Sequence, residues 1–257
     1  MNLWNDHPLA QKYQVGLLHE SQIPFSLLFE EHPPTSTLNR FVRDWKDGKG
    51  NSFPKNDLEF HRVGVSGYNH GTEHLHCFPV SWAQYVLMSD PIIRQNLPSL
   101  EQFRCLTICG IVKTADKKLV LAFRSRTTVS HYKNMWHVSV AGYVDLAPAR
   151  DEGGATQQFQ QELEEELNIL PSHIVSMKQL GLCQHLVQSS ALIEICFAAN
   201  VNLSTTELLA RSRDAKDSWE GKIHAFPISK VKEMFSLESE EKLNPGGAAS
   251  LIMALRL

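Results

Sequence analysis

The sequence has few cysteines, and none of its five lies in a Cys-x-x-Cys pair. A disulfide framework is therefore not expected, and reduced thiols predict a cytoplasmic protein. The chain also lacks an apolar run of the roughly 20 residues that a membrane helix needs, so we expect no membrane partner. Its first ten residues, MNLWNDHPLA, do not combine a basic start with an apolar stretch, and we expect no secretory signal.

The sequence has no excess of either charge. Lys and Arg number 25 against 28 Asp and Glu, which gives a formal net charge of −3. Proteins that bind nucleic acid along its backbone usually carry a basic excess, so we expect no nucleic-acid partner. The 257 residues, 42% of them hydrophobic, are enough for one large globular domain or two modest ones. The oligomeric state stays open.

The sequence patterns change near residue 100. Residues 1–100 mix strand and helix patterns without a catalytic signature and predict a smaller N-terminal α/β domain. Residues 101–257 carry sharper signals and predict a second α/β domain. The patterns predict strands over 104–114, 118–126, 135–146, 190–201 and 222–231, and helices over 153–169 and 244–257.

The helix over 153–169 is strongly acidic. Its apolar residues recur at i+4 spacing and predict a buried stripe: Ala155, Phe159, Leu163 and Leu167. Glu162, Glu165 and Glu166 stand at i, i+3 and i+4, so their carboxylates are expected on another face. Spacing alone is compatible with a solvated acidic face. It is also compatible with a site for Mg²⁺, which prefers oxygen ligands.

The segment around this helix resembles the Nudix box, G-x5-E-x7-R-E-U-x-E-E-x-G-U, in which U is aliphatic. The helical half reads QELEEELNI from Gln161 to Ile169. The preceding WHVSVAGYV is similar to the family's W-x-F-P-G-G-x-V, with Gly142 as the first glycine of the box. The resemblance runs from about Leu106 to the C-terminus. It implies a Nudix-type α/β/α sandwich with a mixed sheet.

The resemblance also implies an activity, the hydrolysis of a pyrophosphate bond in a nucleoside diphosphate linked to another group. The partner would be a small-molecule nucleotide substrate, and the cofactor would be Mg²⁺, with Mn²⁺ as a substitute. The implied metal ligands are the Gly142 carbonyl and the carboxylates of Glu162, Glu165 and Glu166, and Glu165 is also an expected catalytic residue.

Three departures from the box bear on catalysis. Gln161 stands where the family has Arg, which pairs with the metal-binding carboxylates. Asn168 replaces the last glycine, and five more residues than the family spacing separate Gly142 from Glu162. The loss of the Arg keeps open a second interpretation, a non-catalytic Nudix module that binds a nucleotide.

The layout of the chain is similar to one Nudix branch in particular. An N-terminal α/β extension, and an insertion between the glycine of the box and its helix, resemble the enzymes that hydrolyse UDP-glucose and related nucleoside diphosphate sugars. A nucleoside diphosphate sugar is therefore the expected substrate. Nucleoside triphosphates and ADP-ribose are the alternatives within the same chemistry.

Two acidic residues outside the box are further candidates. Glu194 interrupts an apolar strand, where a carboxylate is costly unless it is paired or exposed. Glu220 matches a glutamate of the UDP-sugar branch. Each is expected to serve as a catalytic general base or extra ligand, and a structural role is the alternative.

Four side chains are expected to bind the substrate. Arg124 and Arg126 end a strand that reaches the site, and guanidinium groups bind phosphates well, although a solvated strand end has the same pattern. Trp136 and Tyr143 could stack on a base, or they could be buried structural aromatics. The spacing of the histidines and the cysteine in residues 70–77 matches no established zinc-binding pattern, and a polar loop is the plainer interpretation.

Overall fold

The structure is a computed structural model that describes residues 7–20, 25–31, 36–49, 59, 61–69, 74–124, 132–149, 153–187, 190–218 and 221–256. Among these residues, no helix is both long enough and apolar enough to cross a membrane.

The strands formed by the described residues belong to one eleven-stranded sheet. They are β1 (Val15–Glu20), β2 (Ser26–Phe29), β3 (Arg62–Asn69), β4 (His74–Val80), β5 (Arg104–Lys113), β6 (Lys118–Arg124), β7 (Trp136–Val138), β8 (Val140–Tyr143), β9 (Ile174–His185), β10 (Leu192–Val201) and β11 (Gly221–Pro227).

Helices connect these strands. They are α1 (Pro8–Lys12), α2 (Ser36–Lys49), α3 (Trp82–Met88), α4 (Pro91–Gln95), α5 (Leu146–Ala149), α6 (Gly154–Leu167), α7 (Thr205–Arg211), α8 (Ile228–Met234) and α9 (Pro245–Leu255). Short 3₁₀ turns lie at Ser99–Glu101, Pro171–His173 and Ser212–Asp214.

The sheet is organised around β5, in the order β1-β9-β10-β5-β3-β4-β2. β10 runs parallel to β5 along its length. Three antiparallel partners pair with β5 at successive positions: β3 at Arg104 and Cys105, β8 from Thr107 to Gly110, and β6 at Val112 and Lys113. β6 also pairs with β7 and β11. The sheet is therefore mixed and fans out around one central strand.

Side chains of β5 point alternately to the two faces of the sheet and contribute to two different hydrophobic cores. Leu106 and Ile108 lie in the core that includes the apolar side of α6. Cys109 and Ile111 lie in a second core, which is formed with α9. Because successive strand side chains point to opposite faces, α6 and α9 cover opposite faces of the sheet. The predicted α/β/α sandwich with a mixed sheet is confirmed.

The N-terminal part extends the same sheet. β1 pairs with β9, and β3 pairs with β5. A third core lies between helices α2 and α3 and the strands β4, β5 and β10, and its fully buried members include Leu38, Phe78 and Met88. Whether residues 1–100 form a domain of their own stays a prediction.

Three local predictions are corrected by the structure. The strand expected over 135–146 is two strands, β7 and β8, because β7 pairs with β6 whereas β8 pairs with β5. The strand expected over 222–231 ends at Pro227, which has no N–H to donate to a ladder, and α8 follows at once. The described end of the His-rich segment belongs to β4, in which Cys77 is buried.

The buried carboxylate of Glu101 caps a helix from a distant part of the chain. It accepts hydrogen bonds from the backbone N–H groups of Thr37, at 3.2 Å, and Leu38, at 2.9 Å, in the first turn of α2. Burial opposes the charged form, but these hydrogen bonds outweigh it and hold the pKa of Glu101 below its ordinary value. The cap joins α2 to the segment that leads into β5.

We expect Glu101→Ala to lower the free energy of unfolding by about 1–3 kcal/mol, because two backbone N–H groups lose their acceptor. Glu101→Gln keeps one acceptor oxygen and should cost less. Denaturant titration measures both values, with Glu240→Ala at an exposed position as the control. A loss for Glu101→Ala no larger than that of the control would show that the cap contributes nothing to stability.

Candidate active site

The orientation of α6 is set by its apolar residues. Phe159, Leu163 and Leu167 are fully buried, as their spacing predicts. The ring of Phe159 lies against Gly110 of β5, where there is no room for a Cβ. It also stacks on Phe197 of β10, with ring centroids 4.6 Å apart. This packing leaves little freedom for α6 to rotate about its axis, so it decides where each glutamate points.

Glu162 lies directly over the backbone of Gly142 in β8. Its carboxylate occupies the space that a Cβ at Gly142 would need. The amide of Gln158 donates a hydrogen bond of 3.2 Å to Glu162 Oε1. Burial, together with the neighbouring carboxylates of residues 145, 165 and 217, raises the pKa of Glu162 to about 7, against the stabilising hydrogen bond from Gln158. Glu162 is thus a carboxylate whose charge is costly without a cation.

Glu166 lies one helical turn further along the same side of α6. Its Oε1 accepts a hydrogen bond of 3.2 Å from the backbone N–H of Ala141, next to Gly142. Glu166 also lines a small cleft together with Arg124 and Asp217. The structure therefore brings Glu162, Glu166 and Gly142 together, and it places Arg124 in the same cleft as Glu166.

Glu165 has its hydrogen-bonding partners in α6 and in the segment that follows α7. Its Oε1 accepts a hydrogen bond of 3.0 Å from Gln161, and its Oε2 lies 2.9 Å from the ammonium of Lys216. Burial acts to raise the pKa of Glu165, but the Gln161 hydrogen bond and the Lys216 charge leave it below its ordinary value. The three carboxylates are therefore divided by their partners: Glu162 and Glu166 lie against the backbone of β8, whereas Glu165 is paired with Gln161 and Lys216. No group of three His, Cys, Asp or Glu side chains among the described residues is arranged to hold a metal ion.

A cavity of about 440 Å³ adjoins Glu165. It lies between α6 and the turn after α7, and its walls are mostly polar: Gln161, Glu164, Glu165, Asn168, Asp214, Ala215 and Lys216. The backbone N–H of Asp217 donates a 3.0 Å hydrogen bond to the carbonyl of Glu165, which ties that turn to the helix. Sequence reasoning missed Lys216 and Asp217, although both stand in the acidic segment just before Glu220.

Glu194 lies in a different environment. It is buried in β10, and its Oε2 lies 3.4 Å from Nε2 of His185. Its carboxylate packs against Gly246 at the start of α9, where a Cβ would collide with it. Burial opposes its charge, but His185 outweighs burial and lowers the pKa of Glu194. These contacts favour a structural role, because strand alternation points Glu194 to the α9 face of the sheet.

The two predicted aromatic residues have structural partners. Trp136 packs edge-on against Phe123 and Phe226, and its indole N–H donates a 2.9 Å hydrogen bond to Glu241. Tyr143 packs against Trp82 and Tyr85 of α3, and its hydroxyl donates a 2.9 Å hydrogen bond to the hydroxyl of Tyr85. Arg126 and Glu220 lie outside the described residues.

Comparisons with known proteins give similarity at the level of solved structures. No protein-family model matches the chain, and no curated protein matches it. The Nudix domain of Shewanella oneidensis NrtR, complexed with ADP ribose, is 16% identical with a TM-score of 0.37, over 59% of this chain and 86% of that one. A bifunctional NMN adenylyltransferase/ADP ribose pyrophosphatase from Francisella tularensis, complexed with AMP and a Mn ion, is 15% identical with a TM-score of 0.35, over 59% and 41%.

A third similar structure is that of Tm1382, a proposed Nudix hydrolase. It is 12% identical with a TM-score of 0.47, over 84% of this chain and 96% of that one. At these identities the similarity concerns the fold. The similar structures assign no function to this chain.

Proposed function

We propose that the protein is a Mg²⁺-dependent hydrolase of the pyrophosphate bond in a nucleoside diphosphate linked to another group, with a nucleoside diphosphate sugar such as UDP-glucose as the preferred substrate. The observation that carries the proposal is the half-buried Glu162 carboxylate on the backbone of Gly142, one helical turn from Glu166, which lines a cleft with Arg124. A half-buried carboxylate with further carboxylates around it favours a cation.

The residues at this point fit a hard divalent cation. Magnesium usually binds through one or two carboxylates and keeps several waters, so it does not require three converging acids. Glu162 and Glu166 would supply the carboxylates, and the carbonyl of Gly142 would supply the backbone oxygen. When bound, Mg²⁺ or Mn²⁺ neutralises phosphate oxygens and lowers the pKa of a bound water.

Other side chains of the site have roles that follow from their chemistry. Arg124 presents a guanidinium, which holds phosphate oxygens in a fork of N–H donors. Asp217 lines the cleft beside Glu166, and we assign the general base either to it or to Glu220, three positions further along the sequence. Glu165 is held by Gln161 and Lys216 in the cation-free chain and would be a further carboxylate ligand once the ammonium leaves it.

The 440 Å³ cavity beside Glu165 gives room for a group attached to the pyrophosphate, whereas the cleft beside Glu166 is small. A sugar on the second phosphate would occupy this cavity. Binding a remote sugar can also be used to orient the scissile bond.

A non-catalytic nucleotide-binding module is the second candidate. The observation that favours it is the division of the three glutamates, since Glu165 is paired with Lys216. The two candidates differ in one respect that can be measured, which is product release in the presence of Mg²⁺.

We expect the full chain with Mg²⁺ to convert UDP-glucose to UMP and glucose 1-phosphate with a higher kcat/KM than ADP-ribose or a nucleoside triphosphate. Glu162→Gln and Glu166→Gln should each lower kcat/KM at least about a hundredfold, in line with the loss of a preorganised charged group. Product analysis by chromatography measures this, with Glu238→Gln as a surface control.

Three outcomes would contradict parts of this proposal. A higher kcat/KM on ADP-ribose or a triphosphate contradicts the sugar assignment but not the hydrolysis. Near-wild-type activity in both folded glutamine variants removes α6 from the reaction. Nucleotide binding without hydrolysis of any compound in the panel identifies the non-catalytic module.

We further expect Gly142→Ala to impair Mg²⁺ binding much more than folding. The added methyl group meets the end of a flexible side chain, so the fold should lose less than about 1 kcal/mol, whereas Glu162 must leave its place. Calorimetric titration with Mg²⁺ and thermal unfolding measure the two effects. Gly67→Ala is the matched control, because a Cβ at Gly67 meets nothing within 4 Å. Equal Mg²⁺ affinity in the two alanine variants would contradict the placement of Glu162.

A further inference from the structure

The charge on α6 is not balanced within the helix. Residues 154–167 include four glutamates and no lysine or arginine. Like charges at i, i+3 and i+4 spacing repel one another, so α6 depends on cations from other parts of the chain. The ion pair between Glu165 and Lys216 supplies one such cation.

The position of Lys216 is set by its backbone. Asp217, the next residue, donates its N–H to the carbonyl of Glu165 at 3.0 Å. This hydrogen bond holds the Lys216 backbone beside the last turn of α6 and leaves its side chain free to move. The lysine side chain is 67% exposed, against 24% for Glu165. An exposed lysine on a flexible four-carbon stem can change its partner without unfolding anything.

We propose that Lys216 is a tethered counter-ion, which a divalent cation displaces from Glu165 and which then binds a phosphate group of the substrate in the adjoining cavity. The proposal rests on the proposed function, because it takes the divalent cation and the phosphate-bearing substrate from there. It adds a residue that the Nudix resemblance does not assign. Lys216 pairs with Glu165 before the cation binds and with the phosphate group afterwards.

Two features of the cavity support this exchange. Lys216 and Glu165 both line the cavity. The ammonium can therefore move into the cavity while the backbone hydrogen bond of Asp217 stays in place. Its other charged lining groups, Glu164 and Asp214, are acidic and would repel a phosphate in the absence of cations. An exposed ion pair is weak, so a divalent cation that prefers carboxylate oxygens can replace the ammonium.

A purely structural surface pair would behave differently. In that case the loss of Lys216 would change Mn²⁺ binding only through the net charge of the protein. The exchange instead predicts opposite effects on two ligands, with tighter binding of the cation and weaker binding of the phosphate compound. These opposite signs separate the two interpretations.

The first measurement is calorimetric titration of the full chain with Mn²⁺ in the absence of nucleotide. Lys216→Met should bind Mn²⁺ about two- to fivefold more tightly than Lys232→Met, which is about 0.4–1 kcal/mol at 1.4 kcal/mol per tenfold. Lys232 is an exposed residue of α8, which contributes to the same core as α9. Its replacement by Met makes the same change in net charge as Lys216→Met. Equal or weaker binding by Lys216→Met overturns the proposal.

The second measurement uses methylene diphosphonate, a pyrophosphate analogue without a hydrolysable bond, at saturating Mn²⁺. Lys216→Met should bind it about three- to tenfold more weakly than Lys232→Met, and Lys216→Arg should restore binding. Equal affinity in the two methionine variants overturns the proposal.

Glu162→Gln distinguishes the failure of the proposed function from the failure of this inference. If the wild-type chain and Glu162→Gln bind Mn²⁺ equally, the cation is not held by α6, and both fail. If Glu162→Gln loses Mn²⁺ and Lys216→Met matches Lys232→Met, the inference fails while the proposed function stands.

Discussion

The packing of the Phe159 ring on Gly110 is the contact on which the site depends. A side chain at Gly110 would occupy the position of that ring, and the ring also stacks on Phe197 of the parallel neighbour strand. With Leu163 and Leu167 buried below it, α6 has one rotational setting on the sheet. A helix is rigid, so this setting sends Glu162 and Glu166 to β8 and Glu165 to the turn after α7.

The same constraint explains which parts of the site could be predicted from the sequence. The i+4 stripe of α6, the acidic face and the glycine before it are local patterns, and they are found where the patterns indicate. The division of the three glutamates is not local. It depends on the partners of the carboxylates, namely the β8 backbone for Glu162 and Glu166, and for Glu165 the side chain of Lys216, about 50 positions further along the chain. Glu194 shows the same limit, because its partner His185 comes from a neighbouring strand.

The site carries charge that the fold alone does not neutralise. Burial of Glu162 beside further carboxylates raises its pKa to about 7, against the hydrogen bond from Gln158, so a bound cation would further stabilise its ionised form. Glu165 is in the opposite condition, with an amide and an ammonium as partners. Helix α6 thus carries Glu162, whose carboxylate favours a cation, and Glu165, whose carboxylate is already paired with the ammonium of Lys216. Glycine at position 142 is what lets the first of them reach the backbone of β8.

The most direct test of this account is to locate the bound cation by NMR. Mn²⁺ broadens nearby amide signals with an effect that falls steeply with distance. At substoichiometric Mn²⁺, the account predicts that the amide signals of Ala141, Gly142 and Glu162 disappear first, while those of His74 and His76 in β4 remain. Loss of the β4 signals first, or uniform broadening without a preference for β8 and α6, would contradict it.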